Sequence, residues 1–192
     1  TLGFPDIEAH FDSVSPIYYD MVDAYRTGLG YYHERELDFA IHCIESARPM
    51  KVLDAGCGPG RLTDALLRRG WKTVSLDVSR GMLMEARQRV GGTEHTSQSK
   101  LVHGDVRNLP FADRSFDFVA CLEVLEHLPV FPSDAAALLA ESARVLKEGG
   151  YLLVEFPLLL HSLLRRLPQS TVPSGDIYKS EWIQTPRPPL TV

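Results

Sequence analysis

The residues whose types and spacing most clearly indicate a chemical role lie between Val52 and Arg61, where an apolar run meets a glycine-rich loop. Asp54 stands at the end of the apolar run. Three glycines follow it at every second position: Gly56, Gly58 and Gly60. Glycines so spaced let a ligand lie against bare backbone. A carboxylate here would repel a pyrophosphate but would receive a cation, and Arg61 replaces the last glycine of the dinucleotide pattern GxGxxG. The loop therefore predicts a ligand other than a typical dinucleotide.

Acidic residues also follow the next three apolar runs. Asp77 ends the second run and Asp105 follows the third, whereas Glu123 and then His127 follow the fourth. A carboxylate can accept from both hydroxyls of a ribose, which is the role we predict for Asp77. Asp105 is suited to accept from the exocyclic amine of a base, while the backbone N–H of Val106 donates to a ring nitrogen. Because parallel strands end at one edge of a sheet, these groups are expected to surround one ligand.

The periodicity of the chain predicts the elements that position these groups. Five strands are predicted from short apolar runs: Lys51–Asp54, Thr73–Asp77, Lys100–His103, Phe116–Leu122 and Tyr151–Phe156. Helical spacing of apolar residues lies between most of them, in a segment around Leu62–Leu66, in Met82–Val90 with Ser79 as its cap, and in Ala135–Leu146 ending at Gly149–Gly150. This alternation predicts an α/β fold: a Rossmann-like, doubly wound, mostly parallel sheet with helices on both faces.

The residues before the first strand form a separate, helical segment. Pro16 predicts the start of one helix, and a second helix is expected over Tyr32–Ala47. We assign residues 1–48 to an N-terminal helical cap segment. Tyr18 and Tyr19 on its first helix are candidates for the substrate pocket, although aromatic residues at helical spacing are more often part of a core.

The end of the chain departs from the alternation. Residues 49–167 are assigned to the Rossmann-like domain, with a last helix over Leu158–Leu167, and residues 168–192 to an irregular proline-rich tail. No strand is predicted after Phe156, so the C-terminal strand pair that would complete such a sheet is expected to be missing or altered. An exposed edge on the fifth strand would favour a homodimer.

Composition excludes several classes of function. The chain has 192 residues, of which 44% are hydrophobic, and a net charge of −5, so nothing attracts nucleic acid over a broad surface. No signal peptide or membrane span is visible. The three cysteines are dispersed and offer no zinc spacing: Cys43, Cys57 and Cys121. We therefore expect a cytoplasmic protein with no bound metal and no nucleic-acid partner.

Taken as a set, the motifs resemble those of the class I S-adenosylmethionine-dependent methyltransferases, in particular the small-molecule branch that includes the ubiquinone and menaquinone biosynthesis enzymes. The motifs that carry the resemblance are Asp54–Gly60, Leu76–Ser79, Gly104–Asp105 with Leu109–Phe111, Ser115–Asp117, Arg144–Tyr151 and, before them, Phe11–Pro16 with Tyr18. The resemblance covers roughly residues 11–157 and is specific only as a set.

The resemblance implies S-adenosylmethionine as the cofactor. The residues assigned to it are Asp54, Gly56, Cys57, Gly58, Gly60, Asp77, Val78, Asp105, Val106, Leu122 and Glu123. The glycines would pass close to the amino acid part of the cofactor, with Asp54 near its amino group. Asp77 would hold the ribose and Asp105 the adenine amine, while Leu122 and Glu123 would border the methionine end. A ligand with a sulfonium and an ammonium but no phosphate suits these acids.

Each of these residues also has a purely structural interpretation. Asp54 and its loop could form only a tight turn, and Asp77 or Asp105 could only cap the segment that follows. Cys57 is better explained as a small residue packed under the loop than as a nucleophile. His127 is a candidate general base, although capping or packing is the commoner role at such a position.

The function hypothesis is in-line methyl transfer to an oxygen or carbon atom of a small, apolar acceptor, which requires alignment and a dry pocket. A base is needed only where the acceptor is a poor nucleophile. One rival is a catalytically silent or truncated module that binds the cofactor. A nicotinamide-dependent oxidoreductase is the other rival, and its glycine spacing does not match. An Asn/Asp-Pro-Pro-Tyr run and a Pro-Cys dipeptide are both missing, which disfavours methylation of adenine amines and of DNA cytosine.

Overall fold

The described residues are arranged around one six-stranded sheet. The computed structural model describes residues 4–17, 29–91, 96–155 and 181–184. Its strands are β1 (Lys51–Ala55), β2 (Lys72–Asp77), β3 (Ser99–His103), β4 (Phe116–Cys121), β5 (Leu146–Val154) and β6 (Glu181–Gln184). Its α-helices are α1 (Phe4–Val14), α2 (Leu29–Ala47), α3 (Arg61–Leu67), α4 (Arg80–Gly91) and α5 (Ser133–Val145). The predicted order of strands and helices between 51 and 154 is confirmed.

The strand order fixes where a ligand can bind. The sheet runs β3-β2-β1-β4-β5-β6, with β1 to β5 parallel. The chain moves outward from β1 to β3 and then returns to β4 on the other side of β1. A crevice opens at such a reversal, outside the carboxyl ends of the strands. The ends of β1, β2 and β4 therefore flank the expected site.

Helices cover both faces of the sheet, as predicted. Side chains that alternate along a strand point to opposite faces. In β4, Phe118 joins a cluster with α2 and α3, whereas Val119 joins a second cluster with α5. Val52 and Leu53 of β1 divide in the same way. Both clusters are buried, so the sheet is a central layer that holds its strand ends in a fixed arrangement. No helix within the described residues has the length and apolar character needed to cross a membrane.

The expectation that no strand follows Phe156 is wrong. β6 pairs antiparallel with β5, with Tyr151 opposite Gln184 and Val154 opposite Glu181. Four residues between proline-rich segments are too few for alternation to reveal a strand. The C-terminal pair is therefore altered rather than missing, and β6 covers the edge of β5 that was expected to be exposed. An exposed edge on β5 therefore no longer supports the predicted homodimer. The homodimer stays a prediction, which light scattering would test.

β5 also begins earlier than predicted. The helix before it ends at Val145, and Gly149 and Gly150 lie within the strand instead of ending the helix. Gly149 has a φ of 74°, and the pairing with β4 shifts register between Phe116 and Phe118. The glycine pair thus forms an irregularity in the strand, which sequence periodicity cannot distinguish from a helix end.

The N-terminal segment differs most from expectation. The first helix is α1, and Pro16 lies in a 3₁₀ turn, Ser15–Ile17, that follows it. α1 was not predicted, and the helix predicted to start at Pro16 lies, beyond Ile17, outside the described residues. The predicted second helix is confirmed as α2. Tyr18 and Tyr19 lie outside the described residues, as does the helix predicted over Leu158–Leu167.

Candidate functional site

The carboxyl ends of β1, β2 and β4, with the loop after β3, surround one pocket. Ten of the eleven residues assigned to the cofactor line it: Asp54, Gly56, Cys57, Gly58, Asp77, Val78, Asp105, Val106, Leu122 and Glu123. Gly60 is the exception. The candidate base His127 also lines the pocket. The structure therefore brings together acidic groups that are far apart in the sequence.

The glycine loop is open toward the pocket at one position and closely packed at its two neighbours. Gly58 has a φ of 50°, and a Cβ built on it would meet no atom within 4 Å. Gly56 has a φ of 80°, and a Cβ there would overlap the side chain of Val124. At Gly60 a Cβ would lie 3.0 Å from Ala86, so this glycine serves the packing of α4. Bare backbone thus faces the pocket where a ligand could lie against it.

Asp54 lies under the loop with only 3% of its surface exposed. The Thr63 hydroxyl donates to its Oδ2 at 2.6 Å, and this hydroxyl lies 2.7 Å from Ser75 Oγ. Because the Thr63 hydroxyl donates its hydrogen bond to the carboxylate, Ser75 is the donor to Thr63. Burial raises the pKa of Asp54 to about 6, although the hydrogen bond from Thr63 opposes the shift. A cation at this point would favour the ionised form.

Asp77 connects three segments at the end of β2. Its Oδ2 accepts from the Gly58 N–H at 2.8 Å, and its Oδ1 accepts from the Ser79 N–H at 2.8 Å. Desolvation by burial raises the pKa of Asp77, while these N–H donors oppose that shift. Ser79 also caps α4 as predicted, since its Oγ accepts from the Met82 N–H at 3.0 Å. Asp77 thus holds the loop and still faces the pocket, and ribose binding remains a prediction.

Asp105 is engaged within its own loop. Its Oδ1 accepts from the backbone N–H of Arg107 at 2.8 Å, and its Oδ2 accepts from Arg107 Nη2 at 2.7 Å. Arg107 also contacts Asp134 of α5 at 2.7 Å. Asp105 therefore caps its own turn, as its structural interpretation predicts. Its predicted contact with an adenine amine stays a prediction.

An acidic cluster with one arginine lies beside the end of β4. Glu123 has a φ of 53°, and its N–H donates to Glu155 Oε2 at 3.2 Å. Within the described residues, carboxylate oxygens of Glu36, Glu123 and Glu155 lie within 4.8 Å of one another, while Arg61 is 3.5 Å from Glu36 and 3.7 Å from Glu123. Burial raises the pKa of Glu155 to about 7. An acidic cluster alone does not define a metal site, so the expectation of no metal stays a prediction.

His127 lies in a 3₁₀ turn, Leu125–His127, and packs against α1. Its ring centroid is 5.0 Å from that of Phe11, with an interplanar angle of 83°. Part of the imidazole stays exposed, and desolvation of the rest lowers its pKa below the ordinary value. A neutral imidazole at the pocket can accept a proton, and it also packs, so both interpretations remain. Burial raises the pKa of the Cys57 thiol, which favours packing over a nucleophilic role.

Sequence reasoning missed several residues of the pocket wall. Ile7 and Phe11 reach it from α1, Glu36 from α2, and Arg107 from the loop after β3. Phe11 belongs to a motif quoted for the resemblance, so a signal was present, but α1 itself was not predicted. For Glu36 no local signal exists, because its position depends on how α2 packs on the sheet.

Comparison with known proteins identifies the family. Residues 53–154 match the family described as "Methyltransferase domain", which is more than half of the chain. The chain belongs to the S-adenosylmethionine-dependent methyltransferase family, with the Rossmann-like fold. The cofactor of this family is S-adenosylmethionine, as the motifs implied.

Individual relatives agree in class. The chain is 33% identical over 135 residues to a ubiquinone biosynthesis O-methyltransferase of Alkalilimnicola ehrlichii, covering 70% of this chain and 49% of that protein. It is 33% identical over 150 residues to a demethylmenaquinone methyltransferase of Thermobifida fusca, covering 78% and 60%. The chain thus spans about half the length of the curated relatives it matches.

Solved structures support the fold. The PH0226 protein of Pyrococcus horikoshii superposes with a TM-score of 0.61 at 28% identity, covering 74% of this chain and 65% of that one. The magnesium protoporphyrin IX methyltransferase of Synechocystis, solved with bound S-adenosylmethionine, gives a TM-score of 0.69 at 22% identity, covering 83% and 78%. At that identity the second likeness concerns the fold alone.

Proposed function

We propose that this chain binds S-adenosylmethionine in the pocket at the carboxyl ends of β1, β2 and β4 and catalyses in-line methyl transfer to an oxygen or carbon atom of a small, apolar acceptor. One observation carries the proposal: the buried acids Asp54 and Asp77 and the open backbone of Gly58 face the same cavity. The carboxylates attract a cation, and the glycine loop lacks the GxGxxG pattern that binds a pyrophosphate, so the pocket suits a positively charged sulfur nucleoside.

The residues of the pocket fit that cofactor. Asp54, whose pKa is raised by burial to about 6, would receive the ammonium in its ionised form. Asp77 would accept from the ribose hydroxyls, and the backbone around Gly58 would lie along the methionine moiety. Val106, 8% exposed, would pack on the adenine. When bound, S-adenosylmethionine supplies an electrophilic methyl group on a sulfonium.

The acceptor is proposed from two supports. The relatives are named for ubiquinone and demethylmenaquinone biosynthesis, so a quinol-like ring is the first acceptor class to test. The pocket wall contributed by Ile7 and Phe11 is apolar, which suits such a ring. For a hydroxyl acceptor, His127 would take the proton, since its lowered pKa keeps the imidazole neutral at physiological pH.

Two measurements test the function. Isothermal titration with S-adenosylhomocysteine should show binding to the wild-type chain that weakens in Asp77→Asn. Methyl transfer should then be followed by mass spectrometry with demethylmenaquinol and a demethylated ubiquinol analogue as acceptors. Binding without turnover of either acceptor would favour the silent binding module. A chain that fails to bind S-adenosylhomocysteine, or that instead binds NADH, contradicts the proposal.

The domain assignment is also a proposal. We propose that residues 1–48 act as a helical cap on a Rossmann-like domain of residues 49–167, with residues 168–192 as a tail that contributes β6. Contacts of Ile7 and Phe11 with the pocket support the first part. A cytoplasmic location and the lack of a nucleic-acid partner stay predictions.

A further inference from the structure

Helix α1 is joined to the loop after β2 by a short chain of hydrogen bonds. Asp12 Oδ1 accepts from the Ser79 hydroxyl at 2.6 Å and from the Gly81 N–H at 2.8 Å. These partners lie 67 and 69 residues away in the sequence. Although desolvation alone would raise it, the donors Ser79 and Gly81 hold the pKa of Asp12 below its ordinary value. The carboxylate is thus ionised and bound by two donors at once.

The direction of these hydrogen bonds is determined by Ser79. Its Oγ accepts from the Met82 N–H, so its own proton is left for Asp12. Ser79 is fully buried, and without Asp12 this hydroxyl would have lost its acceptor. The N–H of the same residue donates to Asp77 Oδ1 at 2.8 Å. Ser79 therefore links the Asp12 carboxylate to the Asp77 carboxylate.

The packing around this link is tight. A Cβ built on Gly81 would overlap Ser15 Oγ and would lie 3.2 Å from Asp12 Oδ1. A second contact holds the same loop, since His103 Nε2 lies 2.9 Å from the Val78 carbonyl and 3.1 Å from Glu8 Oε1. The end of α1 thus sits directly on the turn that carries Asp77.

We propose that Asp12 is a positioning residue for the ribose of the cofactor, acting through Ser79 to hold the Asp77 carboxylate in its orientation. The inference rests on the proposed function, because it assigns the ribose to Asp77. It goes beyond that function by making the docking of α1 a determinant of cofactor recognition. A carboxylate that must accept from two hydroxyls needs a fixed plane, and the Ser79 amide fixes one of its oxygens.

The test compares the affinity of S-adenosylhomocysteine with that of its 2′-deoxyribose analogue by isothermal titration. Asp12→Ala should weaken S-adenosylhomocysteine binding about tenfold, the size expected when one hydrogen bond to a charged group is lost. The preference for the ribose form should fall by a similar factor. Asp12→Asn, which keeps an oxygen acceptor, should recover most of both. Ser13→Ala is the matched control, since its hydroxyl donates to the His10 carbonyl within α1 at 2.7 Å.

A double-mutant cycle separates positioning from simple docking. If Asp12 acts through Asp77, Asp12→Ala should change affinity less than about twofold in the Asp77→Ala background. Additive losses, or an unchanged ribose preference in Asp12→Ala, would show that Asp12 only anchors α1 and would overturn the inference. If Asp12→Ala does not fold, Ser79→Ala breaks the same link from the other side and should give the same loss of preference.

The wild-type chain provides the last distinction. Absence of S-adenosylhomocysteine binding to the wild type would reject the proposed function, and the inference with it. Wild-type binding that depends on Asp77 but not on Asp12 or Ser79 would reject the inference alone.

Discussion

Asp77 accepts a hydrogen bond of 2.8 Å from the N–H of Gly58, which joins the end of β2 to the glycine loop that follows β1. The two residues lie on separate strand–loop units, and β1 and β2 are adjacent in the sheet. Asp77, which is predicted to bind the ribose, thus also holds the glycine loop against which the ligand would lie. Changes at Asp77 should therefore affect both binding and stability.

Asp77→Asn tests this double role. An amide offers one acceptor oxygen and one NH₂ group, so one of the two N–H donors, from Gly58 or Ser79, would face another donor. We expect the free energy of unfolding to fall by about 1–3 kcal/mol and S-adenosylhomocysteine affinity to fall at least about tenfold. Chemical denaturation and isothermal titration measure the two effects. Ser13→Ala should leave both unchanged, and a variant that binds like the wild type would exclude Asp77 from the ligand.

Asp54 should make cofactor binding depend on pH. Its pKa is raised to about 6 by burial, and a bound ammonium favours the ionised carboxylate. Below pH 6, binding must first remove a proton, so the affinity for S-adenosylhomocysteine should fall as pH falls, by at most about tenfold per pH unit. Above pH 6 this contribution should level off. Titrations at several pH values check the slope.

Asp54→Asn is the matched variant for that pH profile, because it keeps an oxygen acceptor for Thr63 but cannot ionise. Its affinity should be lower than that of the wild type at pH 7, and its pH dependence between 5 and 7 should be flatter. Equal slopes in the two proteins would place the ammonium away from Asp54.

The sequence predicted the residues at the carboxyl ends of the strands far better than it predicted the groups that pack against the pocket from other elements. Asp54 and Asp77 lie at or near the ends of β1 and β2, while Asp105 and Glu123 follow β3 and β4 by two residues, and these acids all line one pocket. The contact between Asp12 and Ser79 spans 67 residues and has no local signature. α1 was not predicted, since the start signal used in this segment was Pro16, which lies in the 3₁₀ turn after α1. β6 was missed because its pairing depends on β5 rather than on its own four residues.

Glu155 should lower the stability of the ligand-free protein as pH rises. Its pKa in the folded state is about 7, above the ordinary value of 4.5, so the folded state holds its proton longer than the unfolded chain. Stability from this group is therefore complete below pH 4.5 and is lost as pH rises to about 7. Glu155→Gln should gain stability relative to the wild type across that window. Denaturant titrations at pH 4.5, 6 and 7.5 measure the difference.

The control for Glu155 is Glu45→Gln, which changes an exposed carboxylate on α2. The same pH trend in both variants would mean that the effect comes from net charge and not from the half-buried position of Glu155. A Glu155→Gln variant that loses stability at every pH would contradict the prediction, because its amide oxygen can still accept from the Glu123 N–H.

His127→Gln distinguishes catalysis from packing at the pocket. If the imidazole accepts the proton of a hydroxyl acceptor, kcat should fall by about 10²–10⁴ while S-adenosylhomocysteine affinity stays near the wild-type value. In the wild type, the acidic limb of the kcat profile should lie below the ordinary pKa of histidine, because desolvation lowers the pKa of His127. Phe11→Leu removes the aromatic contact but keeps the imidazole. It should therefore lower the free energy of unfolding, while its kcat falls much less than that of His127→Gln. Retention of full turnover by His127→Gln, with a loss of stability like that of Phe11→Leu, would assign His127 to packing.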